Sequence, residues 1–368
     1  MIAVSEPLLN EHASKYVEEC LRTNWISSEG RFIQEFEASW AAYCGMEHGV
    51  AVSNGTTALQ VAMACLGLQP GDEVIMPTFT IISCALAIVE VGAVPVLVDS
   101  DPRTWCMDIS QVESKITSRT RAIMPVHMYG HPVDMDPILE LANKHQLFIV
   151  EDAAEAHGAE YKGKKVGGFG DLSCFSFYAN KIITTGEGGM VLAKREDHAA
   201  KLRSLRNLSF RKDRRFLHNE LGHNYRLTNL QAAIGLSQVE SIDEHVAKKR
   251  WMGKAYTERL SNLSQIALPV EEPWAKNVYW MYGLVLADDV KFDATEFARL
   301  LLEKGIETRP FFIGMHEQPV FLKQELFADE RYPVAERIAR RGLYLPSGLT
   351  LTESQLDQVC DAVRKVLA

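Results

Sequence analysis

Two periodicities of apolar residues alternate along most of the chain. Segments 9–21 and 31–43 carry apolar side chains at the spacing of amphipathic helices, and Gly45 closes the second of them. Short apolar runs that are typical of buried strands then alternate with helical segments as far as residue 208. Strands that alternate with helices indicate an α/β fold with a mostly parallel sheet flanked by helices.

The pattern also predicts where the chain divides into domains. Strands are predicted at 49–52, 73–76, 94–98, 121–126, 147–150, 174–178 and 190–193. Helices are predicted at 80–91, 110–116, 135–145 and 196–208, with another that ends near residue 68. Beyond a long helix at 229–260, a strand at 278–286, a helix at 294–303, a short segment at 306–310 and a helix at 353–367 are typical of an α+β unit. We therefore predict a large domain of residues 1–245 and a smaller C-terminal α+β domain of residues 246–368.

Length and composition narrow the class of protein. A chain of 368 residues exceeds what one compact core usually holds, which agrees with two domains. It has no apolar run long enough to span a membrane and no secretory signal pattern at its start, so we expect no membrane role and a cytoplasmic location. The 7 cysteines lack a C-x-x-C pair, which argues against a disulfide framework and a zinc site. A net charge of −9 disfavours nucleic-acid binding, so a phosphorylated substrate needs a local basic patch.

Polar side chains follow four of the predicted strands, at 54–57, 79–81, 152–155 and 176–181. Because the carboxyl ends of parallel strands meet at one edge of a sheet, we expect these segments to converge there. Each segment also has a simpler explanation. An ordinary helix N-cap explains Thr56 and Thr57, and a capping aspartate explains Asp152. Their convergence, rather than any one residue, therefore indicates a ligand site.

Lys181 joins two unlike halves of the segment 173–190. An aromatic and apolar run of strand type precedes it, and a small, polar, glycine-rich run follows it. This arrangement brings a lysine from a buried strand to a place where the backbone can approach a ligand. A surface lysine in a loop is the alternative, since most lysines are exposed.

Nucleotide-binding motifs of two common kinds are missing from the sequence. No G-x-G-x-x-G follows the first predicted strand, and no G-x-x-x-x-G-K-[ST] occurs. Dinucleotide-binding and Walker-type functions therefore lack the sequence context that they require.

Four segments together resemble the nucleotide-sugar aminotransferases, which are fold-type I enzymes that use pyridoxal 5′-phosphate. The segments are NGTTA at 54–58, EDAAEA at 151–156, SFYANK at 176–181 with TGEGG at 185–189, and NYRLT at 224–228. The resemblance covers nearly the whole chain and keeps the order of the family. Within the family, PVHMYG at 125–130, DMDP at 134–137 and KIITT at 181–185 are most similar to enzymes that act on GDP-linked sugars.

The resemblance implies a role for each of the matched positions. Lys181 is expected to bind the cofactor covalently and to move protons, and Asp152 to keep the pyridine nitrogen protonated. Glu155 matches a position beside the ring oxygen of the cofactor. The residues implied to hold the cofactor phosphate are Gly55, Thr56, Thr57, Ser176 and, from a second subunit, Asn224. A homodimer or tetramer with shared active sites is therefore implied.

One position departs from the family pattern. The family usually has an aromatic residue two positions after Phe79, where it stacks on the cofactor ring, whereas this chain has Ile81. We expect either aliphatic packing by Ile81 or stacking by Phe79 in its place.

The basic run at 211–215 is the densest in the chain and precedes the segment 222–229. Arg211, Arg214 and Arg215 are candidates for the diphosphate of a sugar nucleotide, because guanidinium groups suit phosphate oxygens. A solvated charge run explains them equally well. Further substrate candidates are Arg309, His316 and His127, the last of which is alternatively a buried and satisfied histidine.

The resemblance implies transamination of a GDP-linked ketosugar, GDP-4-keto-6-deoxymannose, to GDP-perosamine with L-glutamate as amino donor. Another nucleotide-linked 3- or 4-ketosugar is an alternative, because these motifs do not define the base or the sugar. A dehydratase that uses the same cofactor is disfavoured, since that branch has histidine where this chain has Lys181. The pairing of Lys181 with Asp152 also argues against a binding or regulatory module without turnover.

Overall fold

The computed structural model describes residues 1–211 and 213–368. The helices are α1 Glu11–Thr23, α2 Arg31–Cys44, α3 Gly55–Leu66, α4 Ser83–Glu90, α5 Met135–His145, α6 Glu196–Leu205, α7 Asn229–Glu240, α8 Ile242–Leu260, α9 Ala294–Glu303, α10 Pro319–Leu322, α11 Pro333–Arg341 and α12 Glu353–Leu367. The strands are β1 His48–Val52, β2 Glu73–Pro77, β3 Val94–Val98, β4 Thr120–Ile123, β5 Phe148–Asp152, β6 Glu160–Tyr161, β7 Lys164–Lys165, β8 Leu172–Ser176, β9 Gly189–Ala193, β10 Ile266–Ala267, β11 Ala275–Lys276, β12 Tyr282–Leu286, β13 Arg309–Pro310 and β14 Gly342–Leu345. No helix in these described ranges is both long enough and apolar enough to cross a membrane.

The described residues form a 7-stranded sheet in the order β1-β9-β8-β5-β4-β2-β3. Strand β9 is antiparallel to both neighbours, and the remaining adjacent pairs are parallel. Every residue of β2, β8 and β9 is buried, because helices cover both faces of the sheet. The predicted mostly parallel sheet flanked by helices is confirmed.

Strand β5 lies at the centre of this sheet and delivers Asp152 to its carboxyl edge. Asp152 pairs with Cys174 of β8 on one side and forms a parallel bridge with Val126, just beyond β4, on the other. The parallel strands therefore bring the segments after β4, β5 and β8 to one edge, as the alternation of strands and helices predicts.

A second hydrophobic core surrounds the antiparallel sheet β10-β12-β14-β13. Residues of α8, α9 and α12 complete this core. Ile2 also belongs to it and forms a parallel bridge with Ile306. The division into residues 1–245 and 246–368 stays a prediction, but the first residues of the chain pack with the smaller unit.

Two predicted helices differ from the observed structure. The long helix at 229–260 is two helices, α7 and α8, separated at Ser241, whose φ of −110° and ψ of 7° are not helical. The hydroxyl of Ser241 accepts a hydrogen bond of 2.8 Å from the Asn10 side chain, which fixes the break. The segment 110–116 forms two short 3₁₀ turns, because the Asp108 carboxylate accepts from the Ser110 amide and starts a tighter turn.

Glu151 fixes the polar loop after β5 to the centre of the sheet. Its buried carboxylate is 0% exposed and accepts several hydrogen bonds from protein donors. The donors are the amides of Gly167 (2.8 Å), Phe169 (2.8 Å) and Gly170 (2.6 Å), the Ser173 hydroxyl (2.9 Å) and His127 Nε2 (3.1 Å). Burial alone raises the pKa of Glu151, but these donors lower the pKa below its ordinary value.

His127 has a defined proton position in this arrangement. The amide of Val133 donates to Nδ1 over 3.0 Å, so the ring proton is on Nε2, where it points to Glu151. The ring is 0% exposed, and both of its nitrogens are bonded to protein groups. This geometry contradicts a substrate contact for His127 and corresponds to the buried, satisfied histidine.

We expect Glu151→Gln to lower the free energy of unfolding by about 2–4 kcal/mol, because one amide oxygen replaces a carboxylate that serves several donors. Chemical denaturation followed by circular dichroism measures this loss. Glu140→Gln, at an exposed position of α5, is the matched control and should change the stability by less than about 0.5 kcal/mol. Equal effects of the two substitutions would show that Glu151 is not a structural anchor.

Candidate active site

Lys181 lies in the turn between β8 and β9. Its amide donates to the Tyr178 carbonyl over 2.9 Å, which closes a tight turn directly after the strand. Its Nζ lies 3.8 Å from the centroid of the Trp280 ring, and Trp280 Nε1 donates to the Asn180 carbonyl over 2.7 Å. The buried indole therefore supports both the backbone and the amine of Lys181.

Three ionisable side chains share the carboxyl edge of the sheet. Loss of water around the amine lowers the pKa of Lys181, and the charges of Glu155 and Asp152 partly offset this effect. Burial raises the pKa of Glu155 to about 7, with the charge of Lys181 acting in the opposite direction. The convergence predicted for Asp152–Glu155 and Ser176–Lys181 is therefore observed. A lysine with a lowered pKa is a better nucleophile and proton acceptor than an exposed one.

The carboxylate of Asp152 is held through both of its oxygens. Oδ1 accepts from the Ala154 amide over 3.0 Å, and Oδ2 accepts from the Cys84 thiol over 3.0 Å. The residue is only 2% exposed, at the C-terminal end of the central strand β5. Asp152 therefore presents a carboxylate of fixed orientation.

A strained turn after β4 positions Glu155. The amide of Tyr129 donates to Glu155 Oε2 over 2.8 Å, and Tyr129 adopts a left-handed φ of 51°. Gly130 follows with a φ of 103°, and a Cβ there would lie 2.8 Å from the Trp280 amide nitrogen. Only glycine permits this approach, which brings the turn close to the backbone of Trp280.

The start of α3 forms a cradle of backbone amides beside β8. Asn54 caps the helix by accepting from the Thr57 amide over 2.9 Å, and the Thr57 hydroxyl accepts from the Asn54 amide over 3.1 Å. A Cβ on Gly55 would lie 2.7 Å from the Ser176 Cβ, so glycine is needed for the helix start to approach β8. The first backbone amides of a helix have no acceptor within the helix. In α3 these are the amides of Gly55 and Thr56, which can donate to an anion.

An N-cap and a phosphate site at this helix start use different atoms. The amide and hydroxyl of Thr57 are both committed to the cap. The Thr56 hydroxyl lies 2.8 Å from the Ser83 hydroxyl. The amides of Gly55 and Thr56 are therefore better candidate phosphate donors than the side chain of Thr57.

Phe79 and Ile81 have opposite surroundings. Phe79 is 0% exposed and packs among the rings of Tyr129, Phe311 and Phe312 at centroid distances of 5.8–6.2 Å. Ile81 is 40% exposed at the carboxyl edge of the sheet. Aliphatic packing by Ile81 is therefore the alternative that the geometry favours, because Phe79 belongs to the core.

Asn224 and the arginine loop lie at the surface of the protomer. Asn224 is exposed, and the chain around it runs beside the end of β1, where the Ser53 amide donates to the Tyr225 carbonyl over 2.9 Å. Arg214 and Arg215 are exposed, while Arg211 forms an ion pair with Asp213. Lys212, in the same basic run, lies outside the described residues.

The two candidates from the small domain differ in their surroundings. Arg309 is exposed and forms an ion pair of 2.6 Å with Glu307. His316 is 5% exposed, with Nδ1 at 2.8 Å from the Thr78 hydroxyl and Nε2 at 3.3 Å from Glu336 Oε1. Both ring nitrogens of His316 therefore bridge protein groups, which speaks against a substrate contact.

Sequence reasoning did not single out three residues of this site: Trp280, Tyr129 and Cys84. Trp280 lies in an apolar run that predicts only core positions, and Tyr129 lies in the matched segment 125–130, which gave it no role of its own. Cys84 lies in the first turn of a helix that follows a sheet strand, and this position was the only signal for it.

A groove with a volume of about 1020 Å³ lies on another part of the surface. Its lining includes Trp25, Arg31, Glu37 and Arg206, and the ionisable cluster around Lys181 is not part of it. The volume of a groove therefore does not by itself identify the active site of this protein.

Comparison with known proteins agrees with this geometry. Residues 7–364 match the family described as the DegT/DnrJ/EryC1/StrS aminotransferase family. The chain belongs to this family. Membership implies dependence on pyridoxal phosphate, and the predicted nucleotide-sugar aminotransferase family is thereby confirmed.

Several relatives match over nearly their full length. A GDP-perosamine synthase of Caulobacter vibrioides is 46% identical over 367 residues, which are 100% of this chain and 98% of the relative. A GDP-perosamine synthase of Escherichia coli O157:H7 is 41% identical, over 99% of this chain and 98% of the relative. The crystal structure of the aminotransferase TlmJ from Streptoalloteichus hindustanus superimposes with a TM-score of 0.92 at 30% identity, over 99% of this chain and 98% of that one. The predicted fold-type I architecture is confirmed.

We expect Glu155→Gln to change the pH dependence of stability of the cofactor-free protein. The ordinary pKa of 4.5 rises to about 7 in the fold, so the contribution of Glu155 is fully present below 4.5 and is lost as the pH rises through 7. Glutamine does not ionise and still accepts from the Tyr129 amide. The variant should therefore gain up to about 3 kcal/mol relative to the unsubstituted protein between pH 5 and pH 8.

Urea denaturation at a series of pH values measures this difference. Glu18→Gln, at an exposed position of α1, is the matched control for the loss of one carboxyl group. If the Glu155→Gln difference varies with pH no more than the Glu18→Gln difference, the raised pKa of Glu155 is refuted.

Proposed function

We propose that the protein transfers the amino group of L-glutamate to GDP-4-keto-6-deoxymannose and so forms GDP-perosamine, with pyridoxal phosphate as cofactor. The observation that carries the transamination is the Lys181 amine, of lowered pKa, in one cluster with Asp152 and Glu155. The nature of the substrate is supported by relatives named GDP-perosamine synthase at 46% and 41% identity over nearly the whole chain.

The side chains at the carboxyl edge fit the chemical groups of the cofactor. Lys181 offers an amine for its aldehyde, and Asp152 offers a carboxylate of fixed orientation for its pyridine nitrogen. The helix start at Gly55 and Thr56, with Ser176 beside it, offers amides and a hydroxyl for its phosphate. When bound, the cofactor supplies the electron sink that a carbanion at the reacting carbon requires.

Lys181 carries the proton in both halves of the reaction. Its Nζ takes the proton from the α-carbon of glutamate and later delivers a proton to C4 of the sugar. The lowered pKa favours the neutral amine that accepts the first proton. Trp280, under the amine, excludes water from one side of this path.

The two carboxylates have different tasks. Asp152, which accepts hydrogen bonds from Ala154 and Cys84, would face the pyridine nitrogen of a bound cofactor and favour its protonated form, and it takes no part in proton transfer at carbon. Glu155, held by the Tyr129 amide, lies within the electrostatic reach of Lys181 and favours its positive form. The balance between this charge and burial sets how readily Lys181 gives up its proton.

We infer that a homodimer completes the site. Asn224 is exposed, so its amide is free to contribute to the phosphate site of a second protomer. The exposed Arg214 and Arg215 suit the diphosphate of the sugar nucleotide, and Arg211 can join them by exchanging Asp213 for a phosphate.

We expect the purified protein to aminate GDP-4-keto-6-deoxymannose with glutamate, and to do so at least about 100-fold faster than UDP- or dTDP-linked ketosugars. Mass spectrometry of the nucleotide-sugar products measures this preference. A product that has lost water without gaining an amine would indicate a dehydratase. Amination of a UDP- or dTDP-sugar alone would retain the transaminase assignment and refute the GDP substrate.

Shared sites predict complementation between two inactive variants. Lys181→Ala lacks the amine, and a second variant lacks the proposed partner groups through Ala substitutions at Asn224, Arg211, Arg214 and Arg215. A mixed dimer contains one site with an intact lysine that receives intact partner groups from the other protomer. Because a two-fold dimer places equivalent surfaces together, we expect mixed refolding to restore roughly half of the activity per mixed dimer.

Differently tagged subunits and tandem affinity purification isolate the mixed dimer for the activity assay. Each variant refolded alone is the control and should remain inactive. An inactive mixed dimer, once isolated, would mean that each site is built from one chain.

A further inference from the structure

Cys84 is a buried thiol in direct contact with the central carboxylate of the site. Its Sγ lies 3.0 Å from Asp152 Oδ2 and 3.5 Å from the Thr80 hydroxyl oxygen. Cys84 is 0% exposed and Thr80 is 1% exposed, so water does not compete for either contact. No step of the proposed transamination uses this thiol directly.

The direction of the two hydrogen bonds follows from the chemistry of the groups. Burial, and then the charge of Asp152, raise the pKa of the Cys84 thiol well above its ordinary value, so the sulfur keeps its proton. A carboxylate oxygen accepts far better than a sulfur atom, so the thiol proton points to Asp152. The Thr80 hydroxyl is then free to donate to the sulfur, which strengthens the thiol as a donor.

We propose that Cys84 is a positioning residue for Asp152: the Cys84 thiol holds the carboxylate in one orientation, toward the pyridine nitrogen of the cofactor. The Ala154 amide holds Oδ1, and Cys84 holds Oδ2, so neither oxygen can rotate away without losing a donor. A carboxylate held in this orientation would accept a hydrogen bond from a protonated ring nitrogen, which is the form that the electron sink needs.

The first test concerns the thiol itself and needs no turnover. The S–H stretching band of Cys84 in the infrared spectrum of the purified holoenzyme is identified by its loss in Cys84→Ser. We expect this band to shift to higher frequency in Asp152→Asn, because an amide is a weaker acceptor than a carboxylate. A band that does not respond to Asp152→Asn would overturn the proposal.

The second test measures the proton at the ring. With pyridoxal phosphate labelled with ¹⁵N in its ring, we expect Cys84→Ala to move the ¹⁵N chemical shift toward that of the unprotonated ring. The Kd of the cofactor should rise about fivefold, since one hydrogen bond is lost. Cys84→Ser keeps a donor and should restore the shift and bring the Kd to within about twofold of the unsubstituted protein.

Cys174→Ala is the matched control. Cys174 is also a buried thiol, 1% exposed, and stands opposite Asp152 in β8, but the thiol hydrogen bond to the Asp152 carboxylate comes from Cys84. The control should leave the ¹⁵N shift unchanged. Equal shifts in Cys84→Ala and Cys174→Ala, or no rescue by serine, would reduce Cys84 to a packing residue.

The proposal rests on the proposed role of Asp152 at the cofactor, and the two can fail separately. A holoenzyme that binds the labelled cofactor but aminates no GDP-linked sugar refutes the proposed substrate and leaves both Cys84 tests valid. Normal amination, together with a Cys84 S–H band that does not shift in Asp152→Asn, refutes only the role of Cys84.

Discussion

The buried carboxylate of Glu151 is the interaction on which the geometry of the site depends. Donors from the Gly167–Gly170 loop, β8 and His127 all converge on this side chain, so β5 cannot shift along its neighbours without breaking several hydrogen bonds at once. Adjacent strand residues point to opposite faces. Because Glu151 is held in place, the position of Asp152 along β5 is fixed as well. Its side chain therefore points to the other face of the sheet, next to Lys181.

A second constraint is that three ionisable side chains lie close together at a site with little water. The amine of Lys181 attracts both carboxylates, whereas the charge of Asp152 disfavours a charge on Glu155, and burial disfavours the charged forms of Lys181 and Glu155. The backbone supplies what the side chains lack: amides of Ala154 and Tyr129 donate to the two carboxylates. Because these donors come from turns of fixed shape, the charges need no rearrangement by solvent during the reaction.

The central sheet and the pair Lys181 and Asp152 were predicted from the sequence more completely than the residues that surround this pair. Strand periodicity and the Lys181 and Asp152 motifs are local signals. The break at Ser241 depends on Asn10, and the start of α11 depends on Asp99, whose carboxylate accepts from the Ala335 amide over 2.8 Å. Trp280, which contacts Lys181, also comes from a segment that is distant in the chain. Such contacts become visible only when distant segments meet.

The attachment of Ile2 to the second hydrophobic core joins the two cores at a second place along the chain. The Ile2 amide donates to the Gly305 carbonyl over 2.8 Å, while Asn10, eight residues later, is bonded to α7 through the Ser237 carbonyl. The chain therefore crosses between the two cores near its start as well as after α7. A displacement of one core relative to the other would strain both connections at once.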